Sequence, residues 1–191
     1  MAIRVPRQWL TYKYYDPRGV LIQLREVSRR QGFSDLPEKV QRLRTRELRK
    51  FHESRQAAIF CYGLSQAVVG TTVRLAPVES DDYDCIAHRE VNGVSVFTPV
   101  QIKELAPPDL NPAATIDGEL KKLTKYASSS DLVIAMHINR PIFLDFAKLH
   151  IPQLSVGQLW FFGALQPNQE EWVLFGDALH GGRSYSFRYP T

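Results

Sequence analysis

An α/β fold, with a mixed central sheet flanked by helices, is what this sequence predicts, and three observations carry the prediction. Two runs with strand-like alternation, residues 83–91 and 94–105, flank Asn92-Gly93, the strongest short-range signal of a two-residue type I′ hairpin. Residues 132–138, LVIAMHI, form a continuous apolar run of strand length, as a central strand covered on both faces would. Between them, residues 116–128 place Ile116, Leu120 and Leu123 at helical spacing. The 191 residues, 44% of them hydrophobic, suffice for one domain with a real core.

The elements follow in order. An aromatic stretch, residues 9–15, is interleaved with Lys13 and follows Arg7, a pattern that suits base stacking and equally suits a core edge or a dimer contact. Residues 17–31 read as a helix with Val20, Leu21, Leu24 and Val27 on one side, and residues 32–37 break it. Residues 38–55, EKVQRLRTRELRKFHESR, predict a helix with apolar residues only at Val40, Leu43, Leu48 and Phe51. It exposes Arg42, Arg44, Arg46, Arg49 and Lys50, and is expected to run on into the core as small and apolar residues become dense. A strand over 72–78 precedes the hairpin. Pro107, Pro108 and Pro112 mark a loop before the helix at 116–128, and the tail, QLWFFGAL then PNQ then EEWVLFGDA, reads as a further hairpin. The expected organisation is a basic helical N-terminal extension, residues 1–48, and an α/β domain, residues 49–191, ending in a β-hairpin.

Charge is unevenly distributed. Residues 1–50 hold thirteen Lys and Arg against five Asp and Glu, a balance of +8 that leaves −4 for the remainder of a chain whose net charge is +4. One basic face beside an acidic site suits a polyanion; a solvated helix face is the competing and commoner explanation of such a run. No stretch approaches the roughly 18 apolar residues of a membrane span, and residues 1–15 lack the pattern of a secretory signal. A soluble, cytoplasmic protein without a membrane partner is therefore expected. Cys61 and Cys85 form no zinc or disulfide pattern and read as buried small apolar residues.

The Asn-Gly turn fixes a register. With Val91 facing Val94, stepping along the ladder sets Asp84 opposite Gln101 and Asp82 opposite Lys103, all on one face and about 5 Å apart across the strands. Cys85, Ala87, Val96, Val100 and Ile102 occupy the other face and can enter the core. Pro99 bears on this register, because a bulge there would shift it and turn Glu104 inward. Asp84 with the Gln101 carbonyl can hold a hard cation such as Mg²⁺, and the Lys103 ammonium would stand beside the attacking water and the phosphate. A cross-strand salt bridge between Asp82 and Lys103 accounts for the same residues equally well.

Asp84 on one strand, a hairpin, then Gln101-Ile102-Lys103, with a helix before and a helix-strand pair after, resembles the PD-(D/E)XK nuclease superfamily, whose fold is restriction endonuclease-like. The QxK form is similar to that of Mrr-like endonucleases, which act on DNA. The resemblance covers roughly residues 52–139. It implies metal-dependent DNA cleavage with Mg²⁺ or Mn²⁺, metal binding by Asp84 and Gln101, assistance to water by Lys103, and Glu53 on the preceding helix joining the site. Gln101 replaces the usual carboxylate and lowers the charge that holds a metal; Glu79, Asp81 and Asp82 are nearby sources of it, Asp82 being counted a third metal ligand. Arg42, Arg46, Arg49 and Lys50, with Lys122 and Lys125 on the helix after the site, are the expected phosphate contacts. RNA is left open as a substrate. Two rivals stand beside this reading: a catalytically silent nucleic-acid-binding fold, and an interaction protein that self-assembles, as a homodimer for example, through its C-terminal aromatic strands. His137 within the apolar run reads as a satisfied core histidine, and nothing fixes a geometry that would join His88 or His180 to Cys85.

Overall fold

Asn92 and Gly93 both take the left-handed conformation, with φ of 51° and 76°, so they close the two-residue turn between β2 (Cys85–Val91) and β3 (Val94–Leu105). The ladder runs without interruption from the Val91/Val94 pair to the Cys85/Val100 pair, in the expected register. Pro99 sits opposite Ile86 and introduces no bulge. Counted from the turn, Pro99 occupies a non-hydrogen-bonded position towards β2, and on its other side β4 joins β3 only from Val100 onward, so its missing N–H breaks no ladder bond. Gly93→Ala should lower stability by about 1 kcal/mol, read from the urea midpoint, because a side chain there is strained at positive φ.

The computed structural model describes residues 5–68, 70–126 and 129–191. Its seven strands form one mixed sheet whose spatial order follows the chain. Strands β1 (Arg74–Pro77), β2 and β3 are antiparallel; β4 (Ser129–Ile138) and β5 (Val156–Ala164) add in parallel; β6 (Glu171–Gly176) and β7 (Arg183–Arg188) complete an antiparallel meander. The apolar run of β4 therefore lies at the centre, with Leu132 to His137 buried. The C-terminal hairpin is present as β5 and β6. β7 was not expected, since RSYSFR buries only Phe187 and carries little apolar alternation.

Helices cover both faces. On one face α1 (Pro17–Ser28), capped by the Asp16 side chain at the Arg18 N–H with Pro17 at its first position, packs on the long α3 (Arg49–Ala67). Leu21, Phe60, Cys61, Cys85, Val100 and Ile102 share this core, so the N-terminal segment contributes directly to it. On the other face α4 (Ile116–Lys122), capped by Thr115, brings Leu120 and then Leu123 against Ile134, Met136 and Phe161. The helix expected over 116–128 gives way to a 3₁₀ turn at Leu123–Lys125, and its last two residues lie outside the described ones. Among the described residues, no helix is long and apolar enough to cross a membrane.

The continuous basic helix is not formed. Within residues 38–48 only α2 (Glu38–Gln41) is helical; Leu43 stands at φ 56°, and helix resumes at Arg49. The thin apolar stripe could not secure a helix here: none of residues 42–48, Leu43 and Leu48 included, is buried. The break instead lets Arg44 reach Glu104 on β3 with both terminal guanidinium nitrogens, at 2.7 and 2.6 Å.

Candidate active site

Asp84 stands where β2 parts from β3. Its backbone N–H still donates to the Val100 carbonyl at 2.9 Å, while its carboxylate reaches across the gap, accepting the Ile102 N–H at 2.6 Å and the Gln101 side-chain amide. The buried Gln101 turns its Oε1 away, to accept the Tyr126 hydroxyl at 3.3 Å. Two residues on, Lys103 carries its Nζ 5.7 Å from the centroid of the same Tyr126 ring. From the facing first turns of α3, Glu53 adds a second carboxylate, held by the Arg49 Nε at 2.7 Å. Asp84, Gln101, Lys103, Glu53 and Arg49 line one cleft of about 400 Å³ together with Arg46, His52 and the Arg44–Glu104 pair.

Burial tunes the pair at its centre. Desolvation raises the Asp84 pKa, with Glu53 adding to the rise and the Ile102 N–H and Lys103 opposing it. Desolvation likewise lowers the Lys103 pKa, against the pull of Asp84, Glu119 and Glu53. Burial thus disfavours the charged forms of both an acid and a base in the same cleft.

A buried polar network adjoins the cleft. Glu104 accepts from Arg44 and, at 2.7 Å, from Asn139, and His137 and His52 approach it at 3.7 and 3.9 Å. Hydrogen bonds from Arg44 and Asn139, with the Arg44 charge, hold the Glu104 pKa at about 2 despite burial. His137 is stacked on Phe162 and buried, which pushes its pKa down to about 3; its Nδ1 therefore accepts from the Gln56 amide at 2.9 Å. Desolvation also lowers the pKa of His52. His137 is thus a satisfied core histidine. His52, Gln56 and Asn139 had no role in the sequence reading, and Arg44 was expected only as an exposed member of the basic face. His52 and Gln56 lie four apart on α3, a spacing that puts both on one face, and this was the only local signal.

Of the remaining expected site residues, Arg46 and Arg49 line the cleft and the others fall elsewhere. Asp82 is exposed, beyond the end of the ladder and outside the lining of the cleft, so it does not face Lys103. Arg42 is engaged by Glu38 and Asp109, Lys50 by Glu79, and Lys122 by Glu119. Lys125 lies 5.1 Å from the Tyr126 ring centroid, and Arg46 is exposed with no acidic partner among the described residues. The C-terminal aromatics Phe161, Phe162 and Trp172 are buried within the single chain. Among the described residues, no three His, Cys, Asp or Glu side chains are grouped closely enough to hold a metal by themselves. Compared with protein-family models, with curated proteins and with solved structures, the chain matches none.

Proposed function

We propose that this cleft hydrolyses phosphodiester bonds of DNA with the help of Mg²⁺ or Mn²⁺, in the manner of the PD-(D/E)XK nucleases that the Asp84, Gln101-Ile102-Lys103 pattern resembles. One observation carries the reading: Asp84, Gln101, Lys103 and Glu53 converge in a single cleft rimmed by the exposed Arg46 and Arg49. The order of α3, the β2–β3 hairpin, α4 and β4 agrees with a restriction endonuclease-like core.

The donor set suits magnesium, which needs one or two carboxylates and keeps several waters. Asp84 and the Gln101 carbonyl would hold the cation, with the Glu53 carboxylate in the same cleft. In the structure Nε2, not Oε1, of Gln101 faces Asp84, so holding a cation through the carbonyl would require the amide to turn over. When bound, it polarises the scissile phosphate and lowers the pKa of water. Lys103 orients the attacking water and offsets charge growing on the phosphate. Arg46 and Arg49 hold the strand through its backbone, independent of sequence.

The deciding assay is cleavage of supercoiled and linear DNA with Mg²⁺, with Mn²⁺ and with chelator, beside RNA of the same sequence. Cleavage that persists in chelator sinks the proposal. A second reading has its own observation: both ends of the Gln101 amide are engaged within the protein. A silent nucleic-acid-binding fold then shows salt-dependent DNA binding and no metal-dependent cutting.

Gln101→Glu separates the two readings. It removes the donor to Asp84 and sets two carboxylates together, so without metal it destabilises by about 1–3 kcal/mol. With Mg²⁺ its thermal midpoint should rise by more than that of the wild type, because the added charge strengthens the site. No difference in the metal response between the two proteins counts against a cation at Asp84.

A further inference from the structure

We propose that a second cavity, sharing Leu43 and Arg44 with the cleft as lining, binds the phosphate of a nucleotide. This inference does not depend on hydrolysis in the cleft. The cavity, of about 470 Å³, opens between α1, the turn at Phe33, α3 and the segment around Gln169 and Glu170. That volume lies within the ~300–1,000 Å³ of small-molecule sites.

Its charge is one-sided. Arg25, Arg29, Arg42, Arg44 and Arg55 all line it, against the single carboxylate of Glu170. Three of these arginines are already neutralised: Arg25 by Glu170 at 3.1 Å, Arg42 by Asp109 at 2.6 Å and Arg44 by Glu104 at 2.6 Å. Arg29 and Arg55 have no acidic partner among the described residues. Arg55 is also held in place, donating to the Gln169 side chain at 2.7 Å and lying 5.9 Å from the Tyr189 ring centroid. The same ring carries Arg25 at 4.1 Å and is fixed by its hydroxyl, which donates to the Leu21 carbonyl at 3.2 Å. Guanidinium groups held in advance lose little freedom on binding, and their planar fork matches phosphate oxygens.

An inorganic anion alone would leave much of this space empty. Leu24, Val27 and Phe33 line it too, giving an apolar and aromatic surface for a base. A phosphate joined to an aromatic heterocycle is therefore the ligand class. It has two sources, a free mononucleotide or the phosphorylated end of a strand.

The full chain is titrated by calorimetry, in EDTA, with adenosine 5′-monophosphate, with adenosine, and with a short oligonucleotide bearing either a 5′-phosphate or a 5′-hydroxyl. The monophosphate should bind and adenosine should not. Arg55→Gln and Arg29→Gln, the latter at an exposed position that leaves the fold intact, should each weaken binding about tenfold. Lys103→Gln, in the cleft, should leave it unchanged. If only the 5′-phosphorylated oligonucleotide is preferred over its 5′-hydroxyl form, with the same arginine dependence, the ligand is a strand end. The proposal is overturned by the absence of a phosphate preference in both arms, by affinity that survives both arginine substitutions, or by affinity lost in Lys103→Gln.

Discussion

Lys103→Met should reduce metal-dependent cleavage by about 10²- to 10³-fold, the range for a preorganised group that stabilises charge in the transition state, while leaving the protein as stable as before or more so. The two halves of this expectation have one cause. Burial lowers the Lys103 pKa, which means the folded protein holds its ammonium at a free-energy disadvantage. A methionine of similar length removes that burden and keeps contact with Tyr126. A lysine present only to close a salt bridge would show the reverse, a loss of stability with cleavage intact. The pH profile offers a further check. If the ammonium form is required, activity falls as pH rises through a pKa below the ordinary lysine value, and the Lys103→Met protein lacks that limb. Asp84→Ala should be equally inactive but less stable, since it strands the Ile102 N–H and the Gln101 amide.

Glu104→Ala should cost about 3–5 kcal/mol of stability, the range for breaking a buried ion pair from one side, measured as the shift in urea-unfolding free energy. Arg44 and Glu104 are only 18% and 16% exposed, and with Glu104 gone the arginine loses both its hydrogen bonds at once. The Arg44 Nε is buried without a partner even in the intact protein, so the deletion leaves nothing to compensate. Acid should act on the same network in two stages. His137 and His52 have depressed pKa values when folded, so below the ordinary histidine range the unfolded chain takes up protons that the folded chain refuses, and stability declines. Glu104 adds its share at lower pH: its contribution is complete above the ordinary carboxylate pKa and disappears as pH falls towards about 2. In Glu104→Gln the lower stage should be missing and the histidine stage retained.

How much of this was legible beforehand depended on whether the signal was local. Asn92-Gly93 and the period-two alternation around it determine the hairpin register within twenty residues, and so the meeting of Asp84 with Gln101 could be read off. LVIAMHI identified the central strand for the same reason. The break before α3 could not be seen, because Arg44 chooses Glu104, sixty residues away, over a helix whose apolar stripe was too thin to hold it. The Gln56–His137 contact is likewise invisible along the chain, joining a helix and a strand 81 positions apart. Asp82 was misplaced by extending the ladder past Cys85, where the strands already diverge to make room for the Asp84 carboxylate.

The uninterrupted pairing from Val91/Val94 to Cys85/Val100 bears on how this chain can change length. A single residue inserted between Val94 and Val100 would exchange the two faces of β3, driving Gln101 into the space of Ile102 and setting Ile102 in the place of Lys103. Residues added at the tip, between Asn92 and Gly93, would lengthen a solvent-exposed loop and leave every pair below it in place. Viable length variants of this protein should therefore vary at the tip of the hairpin and hold the arms constant.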